Sequence, residues 1–224
     1  MEEKLKSALP KEGFRTAAEV AYNIISEKIL NGELEPGCKL SRRKMAELAG
    51  VSVIPVIEAL NRLEEDGLVE SKPQWGSYVT VPTLEKIKGM YVLREAIECQ
   101  VARILAQSIS PENEKELRHI ASVLDNAVYT KDNYEEITQI HYEFHSKIAE
   151  STGYYTLVNT LRRINLFWIL YKAVSTRREK STIPKYWHMR LLDEILSGDP
   201  DRAERMMRIH IYDSLDAIVS KWDS

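Results

Sequence analysis

The chain predicts a mainly helical protein in two parts. Residues 1–82 form a small unit of helices and a hairpin, and residues 83–224 an all-α antiparallel bundle. Three observations carry this. Between Gly50 and Val69 a tight turn, a capping serine, an amphipathic helix and a glycine stop follow in close order. A hairpin pattern then runs to Val81. From Leu84 onward apolar residues recur at helical spacing, with no strand signal.

Residues 1–15 are polar and read as a loose arm. Thr16 to Leu30 reads as a helix with Val20, Ile24, Ile25 and Ile29 turned inward. Lys39–Ala49 reads as a second, shorter capped helix. Ser52 is placed to accept a hydrogen bond from an amide of the next helix's first turn, where Pro55 is tolerated because those N–H groups lack intrahelical partners. Val56, Ala59, Leu60 and Leu63 fall at i, i+3, i+4 and i+7 and make one buried stripe, which Gly67 ends. Strands through Leu68–Glu70 and Tyr78–Val81, with Gly76 at the turn, complete the unit. Two short helices joined by a tight turn and followed by a hairpin describe a winged helix-turn-helix, a shape suited to DNA. The same spacing also suits a small helical domain with no DNA role.

Pro82 halts the last strand and Thr83 can cap the helix Leu84–Ser108. Ser110-Pro111 opens a helix continuing through Glu114–Tyr129, and Tyr134–Glu150 is the next. Tyr155–Thr176 is rich in large apolar residues and reads as the most buried helix. Ile183–Leu196 stops at Ser197-Gly198, and Asp199-Pro200 caps a last helix reaching about Lys221. Six helices make an antiparallel bundle.

Of the 224 residues, 44% are hydrophobic and 29% charged, enough for real cores. No run approaches the ~18 apolar residues of a membrane span, and Met1–Lys6 does not open a secretory signal, so a cytoplasmic protein without a membrane partner is expected. Cys38 and Cys99 lie too far apart to indicate a disulfide framework or zinc ribbon. Net charge is −3, and residues 1–82 are themselves slightly acidic. The basic residues Lys39, Arg42, Arg43 and Lys44 nevertheless cluster at the first helix of the motif, giving a small basic face.

All five histidines lie in the second part. His141 and His145 stand at i, i+4 on one helix face, and His188 and His210 sit on two later helices. Three helices of a bundle can bring four imidazoles together, and imidazole nitrogen suits zinc, nickel, cobalt or copper. The spacing alone equally fits histidines that are hydrogen-bonded or at the surface, as His119 is expected to be.

Residues 16–82 resemble the DNA-binding domain of the GntR family of bacterial transcription regulators. The resemblance is carried by Ile29-Leu30-Asn31-Gly32-Glu33-Leu34 with Pro36-Gly37, by Met45-Ala46, by Val51-Ser52 with Pro55-Val56 and Glu58-Ala59-Leu60, by Gly67-Leu68-Val69, and by the wing ending Trp75-Gly76-Ser77-Tyr78-Val79. It implies that Arg42, Arg43, Lys44, Ser52, Val53, Ile54, Ile57 and Gly76 face DNA. Relatives commonly carry arginine where this chain has Val53 and Ile57, and threonine where it has Ile54, which implies an unusual operator.

Residues from about Met90 to Ile218 resemble the FCD ligand domain of the FadR-like subgroup. The matching contexts are Phe144-His145-Ser146, His188 before Leu191-Leu192-Asp193, and His210 after Met206-Met207-Arg208-Ile209. The resemblance implies that His145, His188 and His210 ligate a metal, zinc or nickel foremost. His141 takes the fourth position, where the family usually has aspartate, and the ligand set loses its only anion. Arg94 matches an arginine that commonly pairs with an effector carboxylate; the alternative is an ordinary surface pair with Glu98.

The function implied is a homodimeric DNA-binding regulator, a repressor foremost, that answers a small carboxylate bound at a metal site. Two other readings stay open: a metal-dependent enzyme on a helical bundle, and a regulator whose bundle takes an acyl ligand without metal. Against the enzyme, no general base is placed near the ligands beyond Glu143 and Glu150, and Glu143 falls about 200° around the helix from His141.

Overall fold

The computed structural model describes residues 15–128, 133–164 and 186–222. The arm expected over residues 1–15 lies almost wholly outside the described residues, as does most of the helix expected over Tyr155–Thr176. The chain divides into two compact units, Met1–Val81 and Pro82–Ser224.

In the first unit, α1 (Ala17–Leu30) opens with a capping box. Thr16 Oγ1 accepts the Glu19 amide at 3.2 Å, and Glu19 Oε2 accepts the Thr16 amide at 2.8 Å. Its buried stripe is Ala21, Ile25 and Ile29, at i, i+4 and i+8; Val20 and Ile24 flank it half-buried. Lys39-Leu40 is not helical, as the sequence reading had it, but forms a short strand, β1, paired with Tyr78 and Ser77. Helix α2 (Arg42–Ala49) therefore starts after Ser41.

Gly50, at φ +65°, turns the chain into α3 (Val53–Glu65), whose Val56, Ala59, Leu60 and Leu63 are buried. Ser52 occupies the N-cap position, but its hydroxyl makes no capping bond. Helix α3 packs on α1 and α2. The wing comprises β2 (Val69–Lys72) and β3 (Gly76–Val79), and the sheet order is β1-β3-β2, all antiparallel. Its strands are shifted toward the tip relative to the sequence reading. Gly76, at φ +100°, opens β3, while the turn itself is made by Pro73 and Gln74. The Trp75 amide donates to the Lys72 carbonyl, with Gln74 at φ +65°.

In the second unit, Thr83 caps α4 (Leu84–Gln107) and Ser110 caps α5 (Pro111–Asp125), which ends four residues before the expected Tyr129. These are followed by α6 (Tyr134–Glu150) and a helical segment over residues 155–164 (α7). Then come α8 (Trp187–Ile195) and α9 (Pro200–Trp222). Asp199 Oδ1 starts α9 by accepting the amides of Asp201 and Arg202. Helix α4 runs along α9, α8 packs on both α9 and α5, and α5 packs on α6. The core between them holds Tyr91, Leu105, Leu117, Leu124, Phe144, Ile148, Leu191, Met207 and Ile211. No described helix is long and apolar enough to cross a membrane.

Candidate metal centre and DNA-binding face

Three helices bring the imidazoles together. Helix α6 supplies His141 and His145, α8 supplies His188, and α9 supplies His210. One nitrogen each from His141, His188 and His210 lies within 4.8 Å of the others. His145 joins through His141: their Nε2 atoms are 3.4 Å apart. Its ring centroid is 5.3 Å from that of His210. His145, His188 and His210 are buried and His141 is half-buried. His119 is exposed on α5, as expected.

Two buried carboxylates stand behind this cluster. Glu98, on α4, accepts Arg94 Nε at 2.6 Å on Oε1, and its Oε2 lies 2.5 Å from His145 Nδ1. Asp125, the last residue of α5, lies 2.8 Å from His188 Nδ1 and also accepts the amides of His188 and Met189. Helix α8 has no side-chain cap of its own, so Asp125 caps it from another helix. Trp187 stacks on His210 with ring centroids 5.7 Å apart and planes inclined by 26°.

The environment favours the neutral form of His141, His145 and His210. Burial first, and then the neighbouring imidazoles, hold His141 and His210 well below the ordinary histidine value. Burial also lowers His145, more than Glu98 raises it. Burial would raise Glu98, but Arg94 and His145 outweigh it and hold its carboxyl down to about 2.

These residues fit a metal ion of the nitrogen-preferring kind. His188 Nε2 and both nitrogens of His210 are buried with no hydrogen-bond partner among the described residues, which is costly unless a ligand takes them up. Nitrogens bound to one tetrahedral ion at ~2.0–2.1 Å lie about 3.3 Å apart, close to the His141–His145 separation. The neutral donor set suits zinc or nickel better than magnesium or calcium.

Arg94 lies neither at the surface nor alone. Its side chain is 4% exposed, paired with Glu98 and placed over the Tyr91 ring at 5.1 Å. Glu143, between the two α6 histidines, is exposed and accepts from Gln139.

In the first unit Arg42, Arg43 and Lys44 are exposed on the first turn of α2. At the start of α3, Ile54 is 79% exposed and Val53 37%, whereas Ile57 is half-buried. The apolar group that α3 presents is therefore Ile54 with Val53, more than Ile57. At the wing tip Trp75 is 69% exposed, and Lys39 and Lys72 both approach the Tyr78 ring.

Three residues of interest escaped the sequence reading as site residues. Trp75 was visible there as a large aromatic among turn formers. Glu98 appeared only as a possible surface partner of Arg94, and Asp125 carried no signal, because nothing local marks a carboxylate that serves a histidine on another helix.

A helix-turn-helix with a wing, joined to a bundle that gathers four imidazoles, is the build of a transcription regulator with its own sensing domain. Residues 17–79 match the bacterial regulatory proteins of the gntR family, and residues 89–213 match the FCD domain. The chain belongs to the GntR family, in the group that carries an FCD domain, and is a DNA-binding transcription regulator, not an enzyme. RspR of Escherichia coli (strain K12), an HTH-type transcriptional repressor, is 25% identical over 199 residues, covering 88% of this chain and 86% of that one. The HTH-type transcriptional regulator Mce2R of Mycobacterium tuberculosis is 29% identical over 216 residues, covering 85% and 87%. Escherichia coli McbR/YncC shares the fold with a TM-score of 0.71 at 15% identity, covering 93% of this chain and 100% of that one. A GntR regulator from Rhodococcus sp. RHA1 does so at 0.70 and 21%, covering 91% and 97%.

Proposed function

We propose that this chain is a homodimeric, cytoplasmic repressor whose helical unit holds one zinc or nickel ion through His141, His145, His188 and His210 and responds to a small carboxylate. The carrying observation is the convergence of His141, His188 and His210, with buried nitrogens of His188 and His210 lacking partners. The ion would supply a Lewis-acidic positive charge, undiminished by four neutral ligands, for the effector's carboxylate. Arg94 holds Glu98 through Nε, so its contribution to an effector falls to its terminal nitrogens. A bundle interior lined by four imidazoles suits a polar anion better than an acyl chain, which favours the metal-assisted reading over the metal-free one.

DNA contact is assigned to Arg42, Arg43, Lys44 and Ser52 for the backbone, Val53, Ile54 and Ile57 for base edges, and Gly76 with the wing. The exposed Ile54 and Val53 suit thymine methyl groups, the apolar feature of a major-groove edge. The effector acts only through a difference in affinity between DNA-competent and DNA-incompetent arrangements of the dimer. Elemental analysis of purified protein tests the metal site. About one ion per chain is expected, lost in His145→Ala and His210→Ala. Equal content in all three proteins overturns the reading.

A further inference from the structure

We infer that Glu98 and Asp125 are positioning residues of the metal centre: each holds the Nδ1–H of one histidine, His145 and His188, and thereby turns that ring's Nε2 toward the centre. The inference rests on the metal reading above and extends it to residues outside the ligand set. A neutral imidazole carries one proton and can place it on either nitrogen; only the bare nitrogen can bind an ion. In water both forms coexist. A carboxylate that accepts from Nδ1 selects the form with a bare Nε2.

The geometry meets this requirement at two rings. Glu98 Oε2 lies at Nδ1 of His145, while His145 Nε2 faces His141 Nε2 across the cluster. Asp125 Oδ1 lies at Nδ1 of His188, and His188 Nε2 is the buried atom left without a partner among the described residues. Each carboxylate is itself held. Arg94 takes the other oxygen of Glu98, and the first-turn amides of α8 take Asp125. His210 has neither carboxylate nor other partner at its ring nitrogens among the described residues and is oriented by packing against Trp187. Two of the four ligands, His145 and His188, are thus preset, and His210 is left to adapt. Glu98 and Asp125 against Arg94 also leave one negative charge uncompensated behind a neutral ligand set, which favours a cation at the centre.

The test uses the full chain, zinc competed against a chromophoric chelator, and nitrogen NMR of the imidazoles in metal-free protein. Arg94→Met/Glu98→Leu removes both charges together, so no unpaired charge is stranded, and it denies His145 its acceptor. It should bind zinc about 10- to 100-fold more weakly and release His145 from the Nδ1–H form. Glu98→Gln keeps a carbonyl acceptor, so it should keep that form and lose less affinity than the double variant. Asp125→Asn should weaken zinc binding several-fold, independently of α4. Glu95→Gln, on the same helix in an outer pair with Arg208 and Tyr212, should change nothing.

Zinc affinity within twofold of wild type in the double variant, or an unchanged His145 proton position, overturns the inference. If the double variant does not fold, unchanged affinity in both Glu98→Gln and Asp125→Asn overturns it instead. A wild-type chain that binds no zinc overturns the metal reading and, with it, the role at a metal centre. The NMR arm still decides whether the carboxylates set the proton positions.

Discussion

Arg94 and Glu98 lie one turn apart on α4, and their side chains meet at 2.6 Å with 4% and 2% exposure. The same spacing on a helix exterior is worth only ~0.3–0.5 kcal/mol. Inside the bundle, removing one partner strands a buried charge, at a cost of about 3–5 kcal/mol. Arg94→Met alone should therefore lose stability on that scale in urea unfolding, and more than the double Arg94→Met/Glu98→Leu. A loss below ~0.5 kcal/mol would mean that the pair is solvated.

Metal should stabilise the native chain alone, because the ligands come together only there. At a hundredfold excess over its dissociation constant, an ion binding only the folded state adds ~2.7 kcal/mol. Zinc should raise the melting temperature of wild type and leave His145→Ala/His210→Ala nearly unmoved. A strong chelator should lower the melting temperature of protein purified with its ion. Identical responses in both proteins would place the binding elsewhere.

Acid should weaken the metal-free protein early. His141 and His210 are held low in the folded state, so near the usual value of ~6.5 the unfolded chain takes up protons that the folded chain refuses. Stability is therefore full above that value and falls as pH falls. Glu98 works in the same direction lower down: its stabilisation is present above the ordinary carboxylate range and is lost as pH drops toward about 2. Urea midpoints should decline between about pH 7 and pH 5, and a flat profile would contradict the burial of neutral imidazoles.

The helical unit should dimerise by itself. Helix α4 leaves Val92 and Leu93 exposed, at 61% and 45%. One winged unit with a small basic face makes few phosphate contacts, whereas two can read a palindrome together. Sedimentation of residues 84–224 at micromolar concentration is expected to give a dimer. A clean monomer would count against a homodimer joined through the helical unit.

Operator sites selected from random DNA should place thymine, not guanine, opposite the start of α3. Each arginine–guanine pair absent there forgoes ~1–3 kcal/mol of discrimination, so the specificity ratio should be lower than that of relatives with arginine at these positions. Ile54→Ala should relax the thymine preference more than Ile57→Ala, following their exposure. A guanine-centred half-site unchanged in both variants would assign the reading to other residues.

The helices were legible where apolar spacing and caps agree, as at α3 with its Val56, Ala59, Leu60 and Leu63 stripe. Strand β1 was not, because two residues have no period, and Lys39-Leu40 is extended through its pairing with a strand nearly forty positions later. The four histidines could be singled out by helix spacing and by the motifs around them. Their carboxylates could not: Glu98 lies 47 positions from His145 and Asp125 63 from His188, so only the docking of α4 on α6 and of α5 on α8 makes those pairs. The exposure of Ile54 over Ile57, by contrast, follows helical phase: Ile54 falls opposite the Val56, Ala59, Leu60 and Leu63 stripe and Ile57 on its flank.

The stacking of Trp187 on His210 gives the chain a built-in optical gauge. An indole emits according to what lies against its face, and a metal with unpaired d electrons a few ångströms away drains its excited state, while a closed-shell ion does not. Nickel or copper seated at His210 would darken this tryptophan where zinc would merely shift its colour. Whether an ion seated there is open-shell or closed-shell would thereby be read from the intrinsic emission of the unlabelled protein.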